Sequence, residues 1–163
     1  MRIIRKYKWS VILALVVIAC VAVVGALLSF RYRDDKLLAD FEASYKTFDK
    51  AIADFSRSVF TSNPEGAPAI DDLGRNAREA LVELHTKASA LSKISSATKN
   101  DPEIRSQALK IADVSGKELD ALSAYKKALR DERDADADRL AKEFDSLTNS
   151  RTAAYAYFQG LGE

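Results

Sequence analysis

The sequence predicts an all-α protein in which a single N-terminal transmembrane helix precedes an antiparallel helical bundle. Three observations support this prediction: a long apolar run near the N-terminus, apolar residues that recur three and four positions apart in the rest of the chain, and only 6 glycines and 3 prolines among 163 residues. Apolar residues at this spacing line one face of a helix, and a chain with few helix breakers forms long helices.

Charged residues are unevenly distributed along the chain, whose net charge is +1. Residues 1–30 contain four basic residues and no acidic one, which leaves residues 31–163 with a net charge of −3. The four basic residues are Arg2, Arg5, Lys6 and Lys8. Because binding to a nucleic acid requires a basic surface, we expect no nucleic-acid partner.

The apolar run covers residues 10–30, SVILALVVIACVAVVGALLSF, and contains no charged side chain. As a helix, such a run measures about 31 Å, close to the roughly 30 Å of a hydrocarbon core. Trp9 and Tyr32 flank the run, at positions where aromatic rings favour the membrane interface. The sequence therefore predicts a transmembrane helix over residues 10–30, with the lipid bilayer as a partner.

The orientation of this helix follows from the basic residues on its two sides. Four precede the run, whereas the three that follow it, Arg31, Arg33 and Lys36, are accompanied by two aspartates. Cytoplasmic flanks carry the excess of Lys and Arg. We therefore expect a single-pass protein of the cell membrane, with residues 1–9 as a cytoplasmic basic tail and residues 31–163 as an extracytoplasmic bundle.

Two other interpretations of the N-terminus are a cleaved signal peptide and a lipoprotein. The run is longer than the apolar region of a typical signal peptide. Residues 17–20 resemble the lipobox that precedes a lipidated cysteine, but the residues after Cys20 remain apolar, unlike the polar tether of a mature lipoprotein. We favour an uncleaved anchor. The rest of the chain contains no cysteine, which suits an exported domain of a bacterial envelope.

Small residues recur four positions apart within the run. Ala22 pairs with Ala26, and Gly25 pairs with Ser29. Small residues at this spacing let two helices approach closely in lipid. These four residues are therefore candidate transmembrane packing positions for self-association.

A first helix of the bundle is predicted between Asp34 and Ser62, where no glycine or proline occurs. Its apolar residues alternate at spacings of four and three, as in the seam of a coiled coil. They are Phe41, Tyr45, Phe48, Ile52, Phe55 and Val59. Residues 63–68, NPEGAP, predict a turn. A second helix follows, with its seam at Ile70, Leu73, Ala77, Ala80 or Leu81, Leu84, Ala88, Leu91 and Ile94.

A polar connection over residues 95–100 precedes the third helix, which the Asp101-Pro102 step starts. The third seam consists of Ile104, Ala108, Ile111, Ser115, Leu119, Leu122 and Leu129, with Tyr125 alongside. A fourth seam consists of Leu140, Phe144, Leu147, Ala154 and Phe158. Residues 130–136 contain no large apolar side chain, and they contain no glycine or proline either.

The third and fourth patterns therefore allow two architectures. A turn near residues 130–136 gives four antiparallel helices of similar length. Without a turn, the bundle has three helices with a very long last one, and a dimer or another protein must cover its exposed seam. We favour four helices.

Side chains that build most catalytic sites are scarce. The chain has one histidine, His85, and one cysteine, Cys20. Nucleophilic triads and di-iron bundle sites need more of these residues. The carboxylates alternate with Lys and Arg, as on solvated helix faces. We therefore expect no enzymatic activity, no cofactor and no metal.

The C-terminal segment is the most aromatic part of the chain. Tyr155, Tyr157 and Phe158 are candidate partner-docking residues, because aromatic side chains often anchor interfaces. The alternative is that Phe158 packs inside the bundle and the tyrosines lie at its edge. Residues two positions apart on a helix do not share a face, so Tyr155 and Tyr157 do not both point to the core.

These observations lead to one functional hypothesis and one alternative. The hypothesis is a non-catalytic, membrane-anchored helical scaffold or protein-interaction module of the cell envelope, with a protein partner or a second copy of the chain bound to it. The alternative is an extracytoplasmic sensor or ligand-binding bundle. It would act through a partner subunit, because the sequence has no second apolar run.

Overall fold

The computed structural model describes residues 3–61, 68–91 and 101–161; of these, the side chains of residues 3–18, Leu27, Phe30, Arg31, Pro68 and Asp101 are not described. Four helices cover nearly all of this part of the chain: α1, Ile3–Thr61; α2, Pro68–Leu91; α3, Asp101–Arg130; and α4, Asp134–Gly160. No strand occurs in these ranges, which confirms the all-α prediction.

The chain divides into two compact units, Met1–Lys36 and Leu37–Glu163, and α1 contributes residues to both. The division falls six residues after the predicted end of the apolar run. In the first unit, every side chain from Ala19 to Ala26 is exposed. These residues therefore have no cover from the described part of their own unit.

Over the residues that the structure describes, none of the helices has a stretch long and apolar enough to cross a membrane. The predicted transmembrane run, residues 10–30, falls partly outside these residues, because the side chains of 10–18, Leu27 and Phe30 are not described.

The second unit is a helical bundle whose core receives side chains from all four helices. The predicted seam of α1 is confirmed, because each of its six residues is at most 5% exposed. The seams of α2 and α3 are confirmed as well, with Leu73, Leu81, Tyr125 and Leu129 only partly buried. Full burial of one such large apolar side chain contributes about 1.5–3 kcal/mol, so each seam stabilises the bundle through several contributions of this size.

Neighbouring helices of the bundle run in opposite directions. Phe41 and Phe158, near opposite ends of the bundle segments of α1 and α4, have ring centroids 4.9 Å apart. The centroids of Phe60 and Phe144 are 6.0 Å apart at the other ends of these segments. Likewise, an ion pair joins an early residue of α2, Asp71, to a late residue of α3, Lys126. Arg151 of α4 contacts Glu118 of α3 in the same antiparallel sense.

A tight turn over residues 131–133 separates α3 from α4, so the very long third helix does not form. The Arg133 amide donates to the Ala128 carbonyl at 2.9 Å, which closes the end of α3. Glu132 has a φ of 53°, in the left-handed region. Asp134 and Asp136 lie in the first turn of α4, where the helix dipole favours acidic side chains. The predicted connection at 95–100, residues 63–67 of the predicted first turn, and Ile94 lie outside the described residues.

Because Glu132 is in the left-handed region, substitution by glycine should change the free energy of unfolding in opposite directions at Glu132 and at Glu143. Glu132→Gly should raise the free energy of unfolding by about 0.5–1 kcal/mol. The substitution removes a left-handed conformation that costs an L-residue about 1–2 kcal/mol. Part of this gain is offset, because glycine loses more conformational entropy on folding than glutamate does. Glu143→Gly, in the exposed interior of α4, should lower it by about 1 kcal/mol. Urea denaturation of both variants measures the two changes, and equal signs would contradict the turn described here.

Candidate functional site

The three candidate docking residues lie in different environments. Phe158 is 3% exposed and packs against Phe41, so it is not accessible to a partner while the bundle is closed. Tyr155 is partly buried, and its ring stacks on that of Tyr45 with 3.6 Å between centroids. Tyr157 is 50% exposed, and its hydroxyl donates to the carboxylate of Glu103. Of the three, Tyr157 offers the most surface to a partner.

The candidate transmembrane packing residues Ala22, Gly25, Ala26 and Ser29 are all exposed. A Cβ added at Gly25 would meet nothing within 4 Å, and the Ser29 hydroxyl donates to the Gly25 carbonyl at 2.9 Å. This face of the helix is therefore open in the single chain, and its role in self-association stays a prediction.

His85 and Cys20 are both exposed. Within the described ranges, no group of three or more His, Cys, Asp or Glu side chains is placed to hold a metal ion.

Arg151 of α4 is buried in the bundle, with 2% of the residue exposed. It forms an ion pair with Glu118 of α3, which is 0% exposed; the Arg151 Nε lies 2.6 Å from the Glu118 Oε2. Its Nη1 donates to the Tyr45 hydroxyl at 2.8 Å and to the Asp49 Oδ1 at 2.7 Å, both on α1. One side chain therefore connects three helices.

Further contacts complete this buried network. The Thr148 hydroxyl donates to the Glu118 Oε1 at 2.7 Å, so both carboxylate oxygens have partners. The guanidinium carbon of Arg151 lies 5.4 Å from the ring centroid of Tyr45 and 5.7 Å from that of Phe48, within the range of cation–π attraction. The side chain of Asp49 is 54% exposed, so the network reaches solvent there.

The protonation states within the network follow from its geometry. Burial alone would lower the pKa of Arg151, but the charge of Glu118 and the hydrogen bond to it outweigh burial and raise that pKa. Burial raises the pKa of Tyr45 to about 12, against the opposing charge of Arg151. At neutral pH the guanidinium is therefore charged and the Tyr45 hydroxyl is neutral, which are the states that these hydrogen bonds require.

The sequence contains a signal for Arg151 that apolar patterning misses. In the fourth seam, Leu147 and Ala154 are seven positions apart, and position 151 lies four positions after the first and three before the second. Charged residues are almost never fully buried unless they are paired. The partner, Glu118, is 33 residues away in the chain, so the spacing alone does not identify the counter-charge that allows Arg151 to be buried.

A second feature of the bundle is a basic groove of about 400 Å³ between the start of α2 and the end of α3. We define this basic groove by its five cationic side chains; they are Arg75, Arg78, Lys126, Lys127 and Arg130. Asp71 is the acidic residue of its lining, and it pairs with Lys126 across the two helices. The hydrogen bond from Lys126 lowers the pKa of Asp71, so this carboxylate stays charged.

The floor of the basic groove is apolar. It includes Phe55 of α1 and Ile70 of α2, each 2% exposed. Gly74 lies beside them, and a Cβ added there would be 3.3 Å from the Phe55 ring. A glycine inside a helix costs up to about 1 kcal/mol relative to alanine. Here it allows α2 to approach the Phe55 ring closely.

Comparison with known proteins gives no match: no family model, no curated protein and no solved structure matches this chain.

The buried ion pair predicts a non-additive response to substitution. Arg151→Met should lower the free energy of unfolding by about 3–5 kcal/mol, because it leaves the Glu118 carboxylate buried without its counter-charge. The double variant Arg151→Met/Glu118→Met should recover most of this loss, since two apolar side chains replace the pair. Guanidinium denaturation measures both values.

Arg139→Met is the matched control for this experiment, because Arg139 lies on the same helix with its side chain 66% exposed. Its effect should remain within about 0.5 kcal/mol. If the double variant were less stable than Arg151→Met alone, the ion pair would not be the reason for the loss.

Proposed function

We propose that this protein is a non-catalytic, membrane-anchored helical scaffold or protein-interaction module of the cell envelope. The observation that carries the proposal is the exposure of large apolar side chains in the first unit: Val21 at 67%, Val23 at 59%, Val24 at 54% and Leu28 at 63%. These positions lie on different sides of one helix. A helix that is apolar all round requires cover, either from lipid or from other protein.

Lipid is the cover that the sequence supports. Residues 10–30 carry no charge and match the thickness of a hydrocarbon core, and a basic segment precedes them. On this proposal, the N-terminus is cytoplasmic and the bundle lies outside the cytoplasm, in an envelope of bacterial type.

A role in protein interaction agrees with how the bundle is built. The Arg151 network ties α1, α3 and α4 together, and this favours one register of four antiparallel helices, because sliding α4 would separate the paired charges. A bundle with a fixed register presents its surface residues at constant positions. Tyr157 is the aromatic residue that we propose for docking a protein partner, and the small residues from Ala22 to Ser29 serve self-association in the membrane.

The basic groove favours a second candidate function, an extracytoplasmic sensor or ligand-binding bundle. Five cationic side chains around one cavity of small-molecule size resemble a binding site more than a featureless scaffold surface. In this role the chain would act through a partner subunit that passes the signal on.

The proposed function is tested by washing membranes that contain the full-length chain with alkaline carbonate, and then purifying the chain in a neutral detergent. We expect the chain to stay in the washed membranes, because a transmembrane helix is not released by this treatment. We further expect it to elute as a self-associated species or with a bound protein in fixed stoichiometry. Release by carbonate would contradict the anchor, and a monomer without any partner would contradict the interaction role.

A pair of variants sharpens the same purification. Tyr157→Ala should lower the affinity for the bound protein by about tenfold or more if this ring is an anchor of the interface, since the loss of an anchor costs about 2 kcal/mol or more of binding free energy. Val82→Ala is the matched control, because Val82 is a 67% exposed apolar residue of α2, whereas the proposed docking residue Tyr157 lies on α4. Equal retention of the partner by both variants would exclude Tyr157 as the anchor.

A further inference from the structure

We propose that the basic groove between α2 and α3 is a binding site for a small anion that carries two or more phosphate or carboxylate groups. This inference rests on the second candidate function, a ligand-binding bundle, and names the chemical class of its ligand; it depends neither on the membrane anchor nor on a protein partner. It rests on residues of the bundle alone.

Several cations of the basic groove are available to a ligand. Arg78 and Lys127 are exposed and form no ion pair with any described residue. Arg75 pairs with Asp72 at 2.9 Å, and Arg130 lies 3.6 Å from Asp131, but both pairs are largely exposed. Exposed pairs of this kind contribute little to stability, so a ligand can replace them at little cost.

The local charge of the basic groove differs in sign from that of its surroundings. Residues 31–163 carry a net charge of −3, whereas the groove lining contains five cationic side chains and one acidic side chain. Lys127 and Arg130 lie in the last turn of α3, where cationic side chains interact favourably with the helix dipole. The dipole is therefore a sufficient reason for these two cations. It does not account for Arg75 and Arg78, which lie on α2 and face the same cavity.

The shape of the groove indicates the size of the ligand. A volume of about 400 Å³ matches small-molecule pockets and is too small for a duplex or a folded partner. The apolar floor formed by Phe55 and Ile70 excludes water from one side, which strengthens the attraction between the cations and a bound anion. Guanidinium groups bind phosphate and carboxylate through two parallel hydrogen bonds, so two arginines on one helix favour a ligand with several such groups.

The proposal is tested by titrating the full-length chain, in a neutral detergent, with sodium tripolyphosphate in an isothermal calorimeter. We expect saturable binding that weakens as the salt concentration rises. In the variant Arg78→Gln/Lys127→Gln, binding should be weaker by about tenfold or more, because two charge-assisted contacts are lost. The melting temperature of the variant without ligand shows that the bundle remains folded.

The matched control is Lys46→Gln/Lys50→Gln. It also removes two positive charges, but from α1, at a separate groove beside Leu73 and Asn76. Its affinity for tripolyphosphate should remain within about twofold of the unchanged chain, because neither lysine lines the basic groove and salt screens exposed charges that do not contact the ligand. The absence of saturable binding, or an equal loss in both double variants, would overturn the proposal.

A further arm distinguishes a free anion from the phosphate of a lipid headgroup, since both present the same chemistry. Short-chain phosphatidylglycerol is added as a competitor at the tripolyphosphate concentration that half-saturates the chain. If the lipid displaces tripolyphosphate from the unchanged chain but not from Arg78→Gln/Lys127→Gln, a headgroup is the source of the phosphate. If the lipid displaces no tripolyphosphate, the source is a free anion. Both results support the groove as a phosphate site, whereas displacement that is equal in the two double variants counts against it.

Discussion

Burial of the α1 seam is the constraint on which the rest of the bundle depends. Its three phenylalanines and Tyr45 supply most of the aromatic core, and residues of the other three helices pack around them. Phe41 and Tyr45 contact α4, Phe55 lies under Gly74 of α2, and Phe60, one position beyond the seam, contacts Tyr125 of α3. Without this helix, the apolar side chains that pack on these aromatic rings would be exposed to water, so α1 is the element around which the bundle closes.

The Arg151 network adds a polar constraint to this apolar core. Apolar side chains tolerate small shifts of one helix along another, because one methyl group can replace its neighbour. The Arg151 guanidinium, which contacts Glu118, Tyr45 and Asp49, does not tolerate such a shift, because any shift leaves a charge or a hydroxyl without its partner. The network adds little net stability, because the removal of two charges from water offsets most of the attraction between them. We therefore expect the network to favour a single register of the helices more than it raises the free energy of unfolding.

Much of the fold could be predicted from the sequence, because the spacing of three and four reports which face of each helix is buried. The turn at Glu132 could not be decided in the same way. No glycine or proline marks it, and the chain instead adopts a left-handed conformation at a glutamate. The Arg151 network and the basic groove could not be predicted from the spacing for another reason, because their members meet only after folding. Lys126 is 55 residues from Asp71 in the chain, and Arg151 is more than 100 residues from Tyr45. Of the candidate docking residues, Phe158 followed the core pattern, whereas the exposure of Tyr157 depends on how α4 is rotated against α3.

Residues 37–163 form a bundle by burying their own seams, whatever surrounds the first unit. The most direct measurement is the chemical denaturation of residues 37–163 expressed alone, followed by circular dichroism and by tyrosine fluorescence. We expect a strongly helical spectrum and one cooperative transition at which both signals change together. A weakly helical spectrum, or a gradual change with separate midpoints for the two signals, would contradict it.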